Sequence, residues 1–444
     1  MPISAVVDFP VRPEARPYLD AFARRLSDEP KWLGARRRRG LARFAEQGFP
    51  NRRSEAWRYI DLRALEEEPM LPAATVRTAA SAAIHDRLAE VAFGEAAYRL
   101  VLVDGRFAPE LSAVEGLPAE AWLDGTARTI AERPDLVRSA IETSLVDAER
   151  PFAALNTAFF GDGFVLDIPP AVVLDRPIEI VHLALRETGG SLHTRSLVAA
   201  GPGSRASILE TFVGDGSYWR NDVVELRLAA GAEFARVALV EEAAEAVHIS
   251  ELLALLGPTS RLSSLVLLLG GRTVRHEATI RSSGEATQCA LRGAFVLSER
   301  QEANIVTTVD HAAPAGETRE VFKGVAAGRA HGAFQGRIMV RPGAQKVDAH
   351  QLSQNLVLSP RAAIDTKPEL EIYADDVKCS HGAAVGDLDE AALFYMRTRG
   401  IGREEARQML IEAFVREVIE PLGPASLREH LLSRLARRLA MLEE

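Results

Sequence analysis

Residues 199–240 read AAGPGSRASILETFVGDGSYWRNDVVELRLAAGAEFARVALV, and the like-worded openings at Ala199 and Ala229 decide the fold. At each, a glycine-bearing turn is followed by a small or polar residue and then by a run of alternating hydrophobicity, such as 223–228 (VVELRL) and 234–239 (FARVAL). Alternation is the period of a β-strand, because successive side chains leave a strand on opposite faces. Similar turns recur at Leu256, Ser282, Ala326 and Arg341, and further alternating runs occupy 164–168, 178–183, 337–340 and 369–373. The turn openings are separated by 30, 27, 26, 44 and 15 residues, a degenerate repeat. A period of roughly 20 to 30 is nevertheless the mark of a stacked solenoid, in which each coil buries its apolar face only against its neighbours. No amphipathic helix interrupts 164–386, which argues against βαβ units and favours a parallel β-helix over a sandwich or barrel. Such a core has open ends that need caps.

Working outward, 17–48 carries helical spacing, with Tyr18, Phe22 and Leu26 before Pro30 and Leu33, Leu41, Phe44 and Ala45 after it. In the polar segment 51–65, NRRSEAWRYIDLRAL, the pair Trp57 and Tyr59 reads as an anchor pinning the segment to the body of the fold. The stretch 66–160 has weak periodicity and reads as mixed α/β. On the C-terminal side, Asp389 is placed to cap a helix carrying Leu393, Phe394 and Met396, and Gly400 to end it. A second helix from Arg403 sets Ala406, Met409, Leu410, Ala413, Phe414 and Val418 on one broad face and stops before Pro421. A third opens with Ser426 and Glu429 in capping-box spacing and carries a stripe of Leu427, Leu431, Leu435 and Leu439. The expected fold is therefore mainly β with helical ends: a helical and mixed region over 1–160, a β-helix core over 161–387, and a helical domain over 388–444. The leucine stripe fits an internal core, and a helical appendage also offers a surface for a partner.

At 444 residues, 47% apolar, 26% charged and 6% aromatic, the composition is that of a soluble globular protein, not of a disordered or membrane chain. With 53 basic and 62 acidic residues the net charge is −9, so neither nucleic acid nor an anionic membrane is an expected partner, the basic run 36–39 being a local exception. The apolar stretch 252–269 is broken by Pro258 and Arg261 and cannot serve as a membrane span. The N-terminal residues contain no apolar run of the signal-peptide kind, and a cytoplasmic chain with reduced thiols is expected. Phosphate loops, dinucleotide fingerprints, His-Glu-x-x-His and Gly-x-Ser-x-Gly are all absent, so the chain should not bind ATP and no enzyme activity is expected of it.

The strongest local feature is DDVKCSHG at 375–382. Cys379 and His381 are two residues apart, so on an extended segment they share a face while Ser380 leaves the other. Thiol and imidazole together are half of a mixed nitrogen and sulfur metal site, and Lys378 beside them is a candidate to favour the thiolate. The same spacing also fits a buried free cysteine beside a hydrogen-bonded histidine. Cys289 is the only other cysteine and reads as a small core residue, so a disulfide framework or a four-thiolate centre is excluded and a cluster would draw ligands from another chain. Asp310 and His311 form an acid/base pair only on paper, since neighbours on a strand point apart.

Much of this text resembles the SufB/SufD family of iron–sulfur cluster assembly proteins. The resemblance rests on GRIMVRPGAQKVDAHQLSQNLVLSP and DTKPELEIYADDVKCSHGAAVGDLDEAALFYMRTRGIGREEARQMLIEAF, with DHAAPAGETREVFKGV and SEAWRYIDL upstream. Within the family the unbroken DDVKCSHGAAVGDLD followed by LFYMRTRGI is similar to the SufD version. The resemblance implies a right-handed β-helix that pairs with SufB, and C-terminal helices that dock the ATPase SufC, with Phe394, Tyr395, Met409 and Phe414 as candidate contacts. It also implies that a nascent iron–sulfur cluster, not held tightly by the chain alone, forms at the SufB–SufD junction near His381, with Cys379 beside it. A homodimer of the isolated chain is compatible with the same reading. Two other classes compete: a β-helix carbohydrate-active enzyme, which would need clustered acids in a groove and usually a signal peptide, and a purely structural scaffold without a metal site.

Overall fold

The structure is a computed structural model that describes residues 11–25, 29–72, 81–94, 98–118, 120–143, 150–185 and 189–442. Its N-terminal part holds α1 (Arg16–Ala23), α2 (Lys31–Gln47), α3 (Arg63–Glu67) and α4 (Ser81–Val91), then β1 (Tyr98–Val103), β2 (Arg106–Phe107) and β3 (Trp122–Gly125), then α5 (Thr126–Glu132), α6 (Pro134–Glu142) and α7 (Pro151–Phe159). Leu26 lies outside the described residues; the rest of the helical spacing at 17–48 falls on α1 and α2. The solenoid strands follow: β4 (Phe164–Ile168), β5 (Ile178–Leu185), β6 (Ser191–Ala200), β7 (Arg205–Asp215), β8 (Trp219–Leu228), β9 (Glu233–Glu241), β10 (Val247–Leu256) and β11 (Arg261–Leu268). They continue as β12 (Thr273–Ser282), β13 (Gln288–Leu297), β14 (Glu302–His311), β15 (Glu317–Ala326), β16 (His331–Val340), β17 (Asp348–Val357), β18 (Ala363–Ile372) and β19 (Lys378–Gly386). Three helices close the chain, α8 (Glu390–Thr398), α9 (Arg403–Ile419) and α10 (Ala425–Ala440).

From β4 onward the strands alternate between two sheets, even-numbered in one and odd-numbered in the other, so each coil gives one strand to each sheet. All neighbours in this run are parallel and in register. Arg205 stands beside Glu233, then Arg261, Gln288, Glu317, Asp348 and Lys378, a period of 27 to 31 residues. The irregular spacings of 44 and 15 in the sequence now have a reason. Ser282 and Arg341 are two coils apart, the turn between them at 312–316 is worded differently, and Ala326 opens a turn on the opposite edge of the coil.

The turns leading from even to odd strands are stacked as closely as the strands. Ala171, Gly203, Gly231, Thr259, Ala286, Ala315 and Lys346 all take left-handed φ of 54° to 67°. The N–H of each donates to a carbonyl one coil on, that of Pro202, Ala230, Pro258, Glu285, Pro314, Gln345 and Asp376 respectively, at 2.6 to 3.0 Å. Only two of the seven are glycine, so five side chains carry the strain of this region to keep the column in register.

The two ends differ. At the first, β1 pairs parallel with β5 and antiparallel with β2, and β3 lies antiparallel on β4. The sheets thus begin inside the region read as mixed α/β, well before residue 161. At the other end β18 pairs only with β16 and β19 only with β17, leaving two strand edges open.

Helices cover the outer faces. Trp57, α1, α2 and α7 pack on Trp219, Val247 and Ile249 of the even sheet, with the Arg275 guanidinium stacked 3.9 Å from the Trp57 ring, so Trp57 is the anchor its setting implies. On the odd sheet, α9 and α10 lie over Val237, Leu239, Leu265, Leu267, Ala294, Val296 and Val325. The C-terminal helices are therefore not an appendage beyond the coils; they fold back and seal one flank. Arg434 clasps Glu241 with both carboxylate oxygens, and Lys323 Nζ lies 2.6 Å from Glu417 and 4.4 Å from the Phe414 ring centroid. The buried face of α9 is Ala406, Ile411, Val415, Val418 and Ile419, whereas Met409 and Ala413 face out. The observed face is rotated from the expected one because the apolar residues of this helix are spread around it between charged ones, and only docking on the sheet selects a side. The Leu427, Leu431, Leu435 and Leu439 stripe is buried as expected, but Ser426 is inside α10 and caps nothing. Asp389 does cap α8, accepting from the N–H of Ala391 and Ala392, and Gly400 follows its end at φ 86°.

Relieving one strained step of the turn column should be measurable. Thr259→Gly should raise unfolding stability by about 0.5–1 kcal/mol, and Gly231→Ala, which has room for its Cβ, should lower it by about 1 kcal/mol. Urea unfolding of both variants checks this; equal midpoints would mean the column does not set the register.

Candidate functional site

The open end of the solenoid brings together the residues singled out in DDVKCSHG. On β19, Cys379 stands beside Ala349 and His381 beside Gln351 of β17. Ala349 and Gln351 are buried, so this column faces the interior between the sheets. Because no coil follows, the same column is left half-buried at Cys379 and exposed at His381. Ser380 leaves on the outer face, where its Oγ lies 2.5 Å from Nδ1 of His350. The alternation expected of the three residues is thus observed.

The thiol is not activated. Burial pushes the Cys379 thiol up and Asp348 adds to this, against a smaller opposing effect of the Ala349 backbone N–H. Lys378, expected to favour the thiolate, alternates to the other face of the strand and does not contribute. Among the described residues no group of three or more His, Cys, Asp or Glu side chains could hold a metal ion. Cys379 and His381 therefore offer two donors at most, a thiol and an imidazole, at a surface where a second chain would have to complete any coordination.

The backbone at this end is equally incomplete. β18 and β19 each present an unpaired edge of nine or ten residues, with Ile372, Tyr373 and Val385 exposed at 41%, 61% and 48%. Edges of this length normally need a cover, since their free N–H and C=O groups pair with any strand that fits.

A second exposed apolar surface lies on the C-terminal helices. Phe394, Tyr395 and Met409 are 66%, 57% and 47% exposed. Phe414, grouped with them from the sequence, is instead half-buried against the sheet under Lys323, and it belongs to the seam of α9. Elsewhere the bland readings fit: Cys289 is buried in the main core, its thiol pushed up by burial. Asp310 faces out and pairs with Arg341 at 2.8 and 2.9 Å, while His311 faces in, 2.9 Å from Thr318 Oγ1, with burial lowering it to about 4. They are no acid/base pair.

Sequence reasoning missed a set of charges inside the solenoid. Glu242 lies 2.5 Å from Arg220 and 2.9 Å from His248, Arg236 forks onto Glu210 at 2.8 and 3.2 Å, and Asp222 bonds Thr194 at 2.5 Å. Burial alone would push Glu242 up, but Arg220 and His248 outweigh it and hold the carboxyl at about 2. Asp222 is pushed the other way by burial and by Glu210. Nearer the open end, burial raises Glu320 to about 7 against hydrogen bonds from Gln351 and Thr307. The signal is parity: Arg220 and Asp222 fall in step with Val224, Leu226 and Leu228 on the inward face of β8.

Comparisons with known proteins agree with one another. Residues 183–414 match the family model described as the SUF system iron–sulfur cluster assembly SufBD core domain, and residues 18–180 match the SufBD protein N-terminal region. An iron–sulfur cluster assembly SufBD family protein of Synechocystis is 30% identical over 86% of this chain and 86% of its own length. The iron–sulfur cluster assembly protein SufD of Escherichia coli is 29% identical over 90% of this chain and 91% of its own. A chloroplastic protein of Arabidopsis thaliana, ABCI7, is 29% identical over 86% and 81%.

The buried acid near the open end sets a pH dependence. Glu320 keeps its proton in the folded chain up to about pH 7, whereas the unfolded carboxyl loses it near 4. Its contribution is full below the unfolded value and is lost as pH rises through that window, leaving a cost of roughly 3 kcal/mol above it. Glu320→Gln should therefore flatten the decline in stability between pH 4 and pH 8, as measured by urea unfolding; parallel curves for the two proteins would count against a protonated Glu320.

Proposed function

Because the chain belongs to the SufB/SufD family of iron–sulfur cluster assembly proteins and is most like SufD, we propose that it is the SufD-like subunit of a SUF scaffold. In this reading it pairs with SufB through the open end of its solenoid, docks the SufC ATPase through its C-terminal helices, and helps a nascent iron–sulfur cluster to form at the junction. The observation that carries the reading is a coincidence of place. The two unpaired strand edges, which call for a matching partner, frame the one surface where a thiol and an imidazole lie side by side. A partner solenoid continuing the two sheets would cover Ile372, Tyr373 and Val385 and bring its own donors against His381. In the absence of SufB a second copy of the chain is the natural cover.

The cluster is cargo in this scheme and not a resident cofactor, and the chain acts in the cytoplasm without enzyme activity of its own. Among the described residues no helix is long and apolar enough to cross a membrane. The lack of a phosphate-cradling loop in the sequence fits a scheme in which the partner hydrolyses ATP. Phe394, Tyr395 and Met409 form the exposed apolar surface suited to meeting that partner, since α10 and the inner face of α9 are committed to the sheet.

Two experiments test this. In a complex made by anaerobic co-expression with SufB and SufC, His381→Ala should leave assembly of the three chains intact and reduce iron and sulfide per complex about tenfold. Cys379→Ala should be milder, because its thiol is held protonated and packed; wild-type yield from His381→Ala would remove the cluster role. Replacing Phe394 and Tyr395 together by Ala should weaken capture of SufC while SufB pairing persists, and unchanged capture would refute the docking surface. Removing everything from residue 388 is the poorer test, since it would strip the cover from Val237, Leu265 and Val296.

A further inference from the structure

One rung inward of His381 stands Gln351, and one rung further stands Glu320, all three in register on β19, β17 and β15. Parallel strands are about 4.8 Å apart, so the three side chains stack along the solenoid axis on its inner face. Gln351 and Glu320 are 2% and 1% exposed. Glu320 Oε2 accepts hydrogen bonds from Gln351 Nε2 and, at 3.3 Å, from Thr307 Oγ1. The amide lies where it does because residue 336 is glycine; a Cβ there would collide with Gln351 Nε2.

A carboxylate can only accept, so once Glu320 is ionised, above about pH 7, that bond fixes the sense of the amide. With Nε2 committed to Glu320, the remaining polar atom of Gln351, Oε1, is an acceptor buried from water and without a hydrogen-bond partner within the described chain. A buried acceptor left unmet costs about 1–3 kcal/mol, so a donor on the next rung is favoured. The only side chain on that rung in register with Gln351 is His381, whose neutral ring has one N–H to give and one lone pair to keep.

We propose that Gln351, oriented by Glu320, is the positioning residue for His381: Oε1 accepts the ring N–H of His381, fixes a single tautomer, and turns the lone pair of the other nitrogen toward the open end. The inference rests on the reading of His381 as a donor to the nascent cluster, and it adds what makes that donor competent. A ligating histidine depends on an outer partner of this kind for its tautomer and ring orientation. Glu320 acts one step further back. Were its carboxylate replaced by an amide, Gln351 could turn over and present its NH2 to His381, which would set the opposite tautomer.

The test uses the full chain with 15N-labelled histidine at about pH 8, where Glu320 is ionised. His381 is identified among the ten histidines by the signals lost in His381→Ala. In the wild type one ring nitrogen should carry the shift of a protonated nitrogen and the other that of a bare one. Gln351→Met keeps the side-chain length but removes the acceptor, and both shifts should move toward the average of two tautomers. Glu320→Gln, the variant least able to disturb packing, should move them in the same direction. Cluster yield in the three-chain complex should fall about tenfold in Gln351→Met. Unmoved His381 shifts in both variants would overturn the proposal, and so would a wild-type yield from Gln351→Met. If the shifts move as expected but His381→Ala itself assembles clusters at wild-type yield, the cluster role of the site fails while the tautomer assignment stands.

Discussion

Everything in this molecule depends on the parallel backbone ladder between coils. A single coil of the solenoid cannot bury its own inner face, and each is stable only because its two strands and its turns bond to the coils on either side. The column of left-handed turn residues from Ala171 to Lys346 makes the constraint visible, since five non-glycine side chains accept an unfavourable φ so that successive N–H groups meet successive carbonyls. A structure built this way must have two ends, and an end is either capped or adhesive. Here the first is closed by β1, β2 and β3, while the last two strands keep their edges free.

The same constraint explains why the helices sit on the flanks. The outer faces of the even and odd sheets are apolar over Trp219, Val247 and Ile249 on one side and Val237, Leu265 and Val296 on the other. Both are sealed by helices from opposite ends of the chain, and the seals are pinned by ion pairs such as Arg434 with Glu241. Burying such pairs brings little net stability, but removing one partner is costly, so they fix where the helices lie more than how strongly they hold. With both flanks covered, the coil carrying β18 and β19 and the outer side of α8 and α9 remain as the apolar surfaces suited to other proteins.

How much of this was legible in the sequence follows from the range of the interactions involved. Period-two alternation and capping at Asp389 are local, and both were read correctly. The coil period is blurred because the left-handed position is filled by Ala, Thr and Lys at five of seven turns and by Gly at only two, so the turns do not look alike although their backbones do. The buried face of α9 was misread because Met409 and Ile411 are equally apolar, and the choice between them is made by a sheet distant in sequence. The location of Cys379 and His381 on one face followed from spacing alone. Their place at an uncapped end did not, and neither did the protonated state of the thiol, because both depend on how many coils lie on each side.

That uncapped position also suits the chemistry. A neutral imidazole donates less electron density to iron than a thiolate does, and a thiol held protonated by burial donates less still. A site of this composition is a poor permanent home for a cluster. It would let one assemble against the thiolates of a partner and then release it, because the strongest bonds to iron are not its own. The interior column behind His381 adds rigidity without adding charge at the surface: Gln351 is neutral, and Glu320, raised to about 7, carries its charge only partly at neutral pH. In the proposed scheme the end of the solenoid would combine an edge that recruits a partner with donors that would hold metal loosely, which is the pairing a scaffold for transient cargo requires.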